Sequence, residues 1–204
     1  MPNNLNAMSD FWIYFSMGLK HMWNMNAYID VLFLLVLTVP YEFKSWKRIL
    51  ILVSLFTSGH TLALMLSVFN VITIKVNIVA FIIPIIVLIA ALYNILSSGK
   101  SSKKDSITFI AIVTALFGLI HGLGYANYFN NHISGKPTDK LLPLFESSLG
   151  FGVSQIIVIL VALLLAYVVQ TLLKLSKRDW ILIVSAFVAG VVIPMIIRSE
   201  IWVK

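Results

Sequence analysis

The chain has 204 residues, of which 60% are hydrophobic and 11% charged, and its formal net charge is +7. A soluble domain of this length does not need so much apolar surface for its core, so the composition indicates an integral membrane protein and argues against a soluble one. Cysteine is absent, which excludes disulfides, thiolate metal sites and a cysteine nucleophile.

The positive charge has two candidate counterparts, nucleic acid and the membrane surface. The basic residues lie in short clusters between apolar runs instead of covering one soluble face. This distribution favours the lipid bilayer and its anionic headgroups, and we expect no nucleic-acid partner.

The N-terminal region combines polar and aromatic residues. Residues 1–10 lack the basic region and the cleavage site of a secretory signal, so we expect the first apolar segment to be retained. Phe11–Met25 is rich in aromatic side chains and Met but is interrupted by polar ones. This pattern predicts an interfacial or partly inserted helix that leads into the first membrane span, Ala27–Pro40.

A break is predicted between these two segments, because Asn24 and Asn26 can compete for backbone hydrogen bonds. His21 and Asp30 flank this point. On one unbroken helix, at ~100° per residue, their side chains would lie about half a turn out of phase. Both can face the bundle only if the helix breaks.

Five further apolar runs each reach the ~20 residues that a spanning helix needs. They are Ile49–Ile72, Val76–Ser97, Ser106–Tyr128, Leu142–Leu173 and Trp180–Ile197. Together with the first span they predict an all-α polytopic bundle of about six transmembrane helices, forming a single domain over residues 1–204.

Lysine and arginine predict the orientation of the bundle. The connections after spans one, three and five hold most of the clustered basic residues, namely Lys44, Lys47, Arg48, Lys100, Lys103, Lys104, Lys174, Lys177 and Arg178. Short loops rich in these residues stay on the cytoplasmic side, so we expect both termini to be non-cytoplasmic.

Polar residues recur on one face of three predicted spans. By the i, i+3, i+4 and i+7 rule, these faces carry Thr114, Gly118, His121, Gly124, Tyr125 and Tyr128 in span four, Thr57 and His60 in span two, and Ser148, Gly152 and Gln155 in span five. A chargeable side chain at membrane depth is costly and usually faces protein or a water-filled cavity. These positions therefore suggest a functional site inside the bundle.

We predict that this site binds a metal through His60, His121, Asp30 and His21. Imidazole with carboxylate suits divalent Ni, Co, Zn or Cu. Gln155, Thr57, Glu146 and Tyr125 are predicted to lie on the cation path or to support the ligands, and Gly118, Gly122, Gly124 and Gly152 to allow close helix packing. The alternative is structural, since such side chains can simply hydrogen-bond across helices. His132 is expected to be solvated in an outer loop.

The histidine motifs resemble those of the HupE/UreJ family, particularly its second branch. The matching segments are residues 55–62, LFTSGHTL, residues 117–125, FGLIHGLGY, Leu149 and Gly150 with Gln155, and Gly18 with His21 and Tyr28. The resemblance implies a small polytopic protein of the bacterial inner membrane, associated with nickel or cobalt uptake for hydrogenase and urease.

Two positions depart from the family pattern. Family members typically carry an Asp-His pair after a Tyr in span one, whereas Tyr28 is followed here by Ile29 and Asp30. The family also tends to have a Glu three residues before Gln155, where this chain has Gly152. Two of the metal-binding groups that the resemblance implies are therefore altered.

Three functions remain open from the sequence. The first is a metal permease in which a cation exchanges water for His60, His121 and Asp30 or His21. The second is a non-transporting subunit that holds a membrane partner or assembles a metalloenzyme. The third is an intramembrane metalloenzyme that uses a metal-bound water, although no G-x-S-x-G, H-E-x-x-H or P-loop motif is present. The sequence does not predict the oligomeric state.

Overall fold

The computed structural model describes residues 4–23, 28–99 and 107–202, and these ranges contain helices and connections but no strand. The α-helices are α1 (Asn4–His21), α2 (Tyr28–Thr38), α3 (Trp46–Val68), α4 (Val76–Ser97), α5 (Ile107–His132), α6 (Leu141–Leu172) and α7 (Lys177–Ile197). Short 3₁₀ turns cover Phe43–Ser45 and Glu200–Trp202. The all-α prediction is confirmed.

Five of these helices, α3 to α7, are long and apolar enough to cross a membrane. The first predicted span differs, because α2 has only 11 residues. At ~1.5 Å per residue it is about 17 Å long, well short of a hydrocarbon core of ~30 Å. The predicted count of six full spans is therefore not confirmed. The predicted break residues, Asn24 and Asn26, lie outside the described ranges.

Glycines bring α3 and α5 into backbone contact. A Cβ atom added at Gly118 would collide with the backbone carbonyl of Phe56, and one at Gly122 with that of His60. A Cβ at Gly59 would lie 2.9 Å from the carbonyl oxygen of Ala115. This close approach fixes the depth and rotation of both helices, and with them His60 and His121.

A second close contact seats α1 on α6. A Cβ at Gly18 would collide with the carbonyl oxygen of Ser147, and one at Gly150 with that of Phe15. The sequence prediction of close packing did not include these two glycines. Their contact draws the end of α1, with His21, into the interior of the bundle.

Aromatic rings from α2, α3 and α5 fill the core beside the contact between α3 and α5. The rings of Phe33 and Phe117 stack with centroids 3.7 Å apart, and Phe56 meets Phe117 edge-on at 5.1 Å. All three side chains are fully buried. Because Phe117 lies one helical turn before His121, this packing holds the α5 backbone firmly at the level of the histidine.

The connections that were predicted to share one side of the membrane lie at one end of the molecule. Glu42, between α2 and α3, pairs with Lys177 at the start of α7, with 3.0 Å between Oε1 and Nζ. Gly99, after α4, lies beside the Arg178 side chain. The basic residues of the connections between α2 and α3 and between α6 and α7 therefore gather at the same end. Lys100, Lys103 and Lys104, after α4, lie outside the described ranges.

We expect Glu42→Gln to have only a small effect. The hydrogen bond and charge of Lys177 lower the pKa of the Glu42 carboxyl, but both side chains are about half exposed. The pair should contribute less than about 1 kcal/mol to the free energy of unfolding. This contribution is present above the ordinary pKa of a glutamate and is lost as the pH falls through the lowered pKa. Thermal unfolding in detergent should show a slight loss at neutral pH and none in acid. An equal loss at both pH values would contradict the assignment.

Candidate metal site

The site lies where α1 ends and α2 begins. His21 is the last residue of α1, and Asp30 belongs to the first turn of α2. Their side chains converge, with 3.7 Å between Nε2 of His21 and Oδ2 of Asp30. The separation into two helices thus lets both residues face the bundle, as the phase argument from the sequence requires. The N-terminal end of α2 also favours the carboxylate through the helix dipole.

His121 in the middle of α5 completes the group. Its Nδ1 atom lies 3.0 Å from Oδ1 of Asp30, and the two side chains are only 7% and 1% exposed. Despite this short distance, neither carboxylate oxygen of Asp30 receives an aligned hydrogen bond from any described residue. An anionic oxygen buried without such a bond is costly. The arrangement is better suited to a cation lying between the nitrogen and the oxygen.

The three side chains fit a transition-metal cation. One ligand atom from each of His21, Asp30 and His121 lies within 4.8 Å of the other two. With metal–ligand bonds of about 2.0–2.2 Å, neighbouring ligand atoms in a metal site lie roughly 3–3.5 Å apart. The two distances to Asp30 therefore need little adjustment. We call these residues the triad. Whether they bind metal remains a prediction.

His60, the fourth predicted ligand, is not part of the triad. Its ring is fully buried and stacks against Phe151 and His121, with centroid distances of 4.4 and 5.2 Å. Neither ring nitrogen has a hydrogen-bond partner among the described residues. The sequence predicted that His60 and His121 lie at similar depth, but depth alone does not determine whether two rings offer nitrogens to one ion or stack face to face.

Two of the predicted supporting residues, Thr57 and Gln155, pair with each other and do not line the cavity at Asp30. Thr57 donates a hydrogen bond to Oε1 of Gln155 at 2.8 Å, while Nε2 of Gln155 is buried without a partner among the described residues. Gly152 faces the Thr57 side chain at an ordinary contact distance, so a Cβ there would fit. Gly124 packs tightly, since a Cβ would lie 2.8 Å from Cγ1 of Val79.

The other two predicted supporting residues lie in different places. Tyr125 lies beside the triad: its ring meets His21 edge-on at 4.6 Å, and its hydroxyl shares a hydrogen bond of 3.0 Å with Ser147. Glu146 is half-buried on α6, and the like charge of Asp10 on α1 repels its carboxylate. It does not line the cavity at the triad.

A cavity of about 390 Å³ adjoins the triad, and we call it the triad cavity. Its lining includes all three triad residues, Tyr125 and Tyr128 from the predicted polar face of α5, and Met195, which the sequence did not indicate. Met195 receives a 3.3 Å hydrogen bond from the Tyr28 hydroxyl at its Sδ atom. Nothing in the spacing of α7 distinguishes Met195 from packing residues, so only the tertiary structure could identify it.

Comparison with known proteins gives one match. The sequence model of the HupE/UreJ proteins matches residues 2–199, which is nearly the whole chain. No curated protein and no solved structure matches the chain. The predicted relation to this family is thus confirmed over nearly the whole chain.

Proposed function

This chain belongs to the HupE/UreJ family, and we propose that it is a membrane permease for a divalent transition-metal cation, with nickel and cobalt as the first candidates. One observation carries the proposal: two imidazoles and a carboxylate converge inside a helical bundle, beside a cavity, without satisfying one another by aligned hydrogen bonds. Family membership supports the choice of metal, since these proteins are generally linked to nickel and cobalt handling.

We propose that α1 and α2 together make the first membrane crossing. Transporters often bind their ions where a discontinuous helix leaves helix ends at membrane depth. Here the carboxylate of Asp30 lies in the first turn of α2, and His21 ends α1. The C-terminal end of α1 and the charge of Asp30 both favour a cation between them.

The composition of the triad suits transport more than tight storage. Three protein ligands leave further coordination positions of the cation to water, so the ion need not lose its whole hydration shell. Conduction requires binding that is strong enough to admit the ion and weak enough to release it. Among the described histidines, aspartates and glutamates no fourth ligand joins the triad, and His60 is stacked to one side, which is consistent with this requirement.

We propose that the buried polar side chains of His60 and Gln155, beyond His121, form the next part of the path. Nε2 of His121, both nitrogens of His60 and Nε2 of Gln155 are buried without hydrogen-bond partners among the described residues. Each such atom costs about 1–3 kcal/mol unless water or an ion satisfies it. A hydrated cation that leaves Nδ1 of His121 would meet these atoms next.

We place the protein in the bacterial inner membrane, with the end that carries Glu42 and Lys177 in the cytoplasm. The gathering of basic connections at this end supports that orientation. Both termini would then be non-cytoplasmic, as predicted from the sequence.

Uptake by proteoliposomes tests the function. Asp30→Asn preserves the shape of the side chain but removes its charge, so the initial rate of ⁶³Ni²⁺ uptake should fall by at least about tenfold, which corresponds to ~1.4 kcal/mol. Asp139→Asn is the matched control, because Asp139 is an exposed loop carboxylate, and its uptake rate should equal that of the wild type.

Three outcomes are informative. Equal uptake by wild type and Asp30→Asn would refute the assignment of Asp30. Wild-type protein that binds Ni²⁺ stoichiometrically but does not transport it would favour the non-transporting assembly subunit. Protein that neither binds nor transports nickel or cobalt would overturn the proposed function.

A further inference from the structure

A second cavity, of about 370 Å³, lies between α1 and the C-terminal end of α5. Its lining includes Met17, Lys20, His21, Tyr128 and His132, and we call it the α1–α5 chamber. His21 and Tyr128 also line the triad cavity, so these two side chains separate the two spaces. One member of the triad, His21, therefore lines both spaces.

His132 is held in the form that binds metals. Its Nδ1 atom lies 2.8 Å from the backbone carbonyl oxygen of Tyr128. A carbonyl only accepts, so Nδ1 carries the hydrogen, and in the neutral ring Nε2 then has the lone pair. Histidines that ligate metals usually donate their other ring N–H to a carbonyl or carboxylate in this way. The ring also packs against that of Tyr128, with centroids 4.0 Å apart and the planes tilted by 34°, which limits its rotation.

We propose that His132 is the entry ligand for the cation, which binds Nε2 in the α1–α5 chamber before it passes His21 to reach the triad. The inference rests on the proposed function for its role in transport, but the binding site itself does not depend on transport. It assigns a weak site for a divalent transition-metal cation to a residue that the sequence suggested was merely solvated.

Lys20 is the cationic neighbour in the chamber and opposes binding. Its side chain is exposed, so water and salt screen its charge. A nearby positive charge keeps the affinity at His132 low, which suits a site that must pass its ion onward. Lys20→Gln should consequently tighten binding at His132.

Equilibrium dialysis of the full-length protein in detergent, with Ni²⁺ as the probe, tests the site directly. We expect a tight class of sites and a weak class in the wild type. His132→Ala should remove only the weak class and His121→Ala only the tight class. Asn131→Ala, at the neighbouring exposed position outside the chamber lining, should change neither. A wild type without a weak class, or a weak class that survives His132→Ala, would overturn the proposal.

Transport adds a readout that a purely structural role of His132 would not affect. In proteoliposomes, His132→Ala should raise the half-saturating Ni²⁺ concentration by roughly threefold to tenfold with little change in maximal rate, because an entry ligand raises the local ion concentration. An unchanged half-saturating concentration would exclude His132 from the path. If the wild type transports no metal, the proposed function fails, while the dialysis result still decides whether His132 binds the cation.

Discussion

Replacing His121 by alanine is expected to abolish stoichiometric Ni²⁺ binding at the triad. His121 supplies the nitrogen 3.0 Å from Asp30, and without it only His21 remains beside the carboxylate, at 3.7 Å. Losing one of three protein ligands should weaken binding by at least about a hundredfold, or ~2.7 kcal/mol. Equilibrium dialysis or calorimetry with Ni²⁺ measures this change.

His60→Ala is the informative control for this prediction. His60 is also a buried histidine, and its ring stacks on that of His121, but it offers no ligand atom to the triad. We expect His60→Ala to retain tight Ni²⁺ binding, although it opens space beside Phe151 and should lower the unfolding temperature. If His60→Ala instead loses binding while His121→Ala keeps it, the assignment of His21, Asp30 and His121 as the ligands is wrong. Thermal unfolding of both variants separates loss of binding from loss of fold.

The sequence predicted the helical class because length and hydropathy act over many residues. Val76–Ser97 was predicted with the bounds that the structure gives, and α6 differs by one residue at each end. The first span was harder to predict. The apolar run Ala27–Pro40 yields a helix of only 11 residues. Apolar side chains continue on both sides of a helix break, so the hydropathy pattern does not show where the helix begins or ends.

Three of the four predicted ligands converge in the structure, but the sequence did not predict how they are arranged. Phase along a helix identified the inward faces of His60 and His121, and the phase conflict between His21 and Asp30 required a break. The choice between ligation and ring stacking depends on the rotation of α3 relative to α5. That rotation follows from backbone contacts at Gly118 and Gly122, which periodicity cannot supply. Met195 comes close to the triad only through the packing of α7.

The contact between α1 and α6 is the feature on which the position of His21 depends most. Gly18 lies three residues before His21, and a Cβ at Gly18 would collide with the backbone of Ser147 and lie 2.9 Å from the amide nitrogen of Phe151. Backbone atoms cannot move aside as a flexible side chain can, so even one methyl group must shift α1 away from α6. Overpacking of this kind costs about 1–3 kcal/mol.

We therefore expect Gly18→Ala to lower both the unfolding temperature and the affinity for Ni²⁺, and Gly18→Val to lower both further. Gly190→Ala is the matched control, because a Cβ at this position in α7 meets nothing within 4 Å. There the substitution should be neutral or stabilising by up to about 1 kcal/mol, since alanine favours the helix over glycine. His21→Ala separates the two effects: it should weaken binding as much as Gly18→Val while leaving α1 seated and the unfolding temperature nearly unchanged. If Gly18→Val binds Ni²⁺ with wild-type affinity, the close contact of α1 with α6 is not needed to position His21. If His21→Ala also does, His21 contributes nothing to the site.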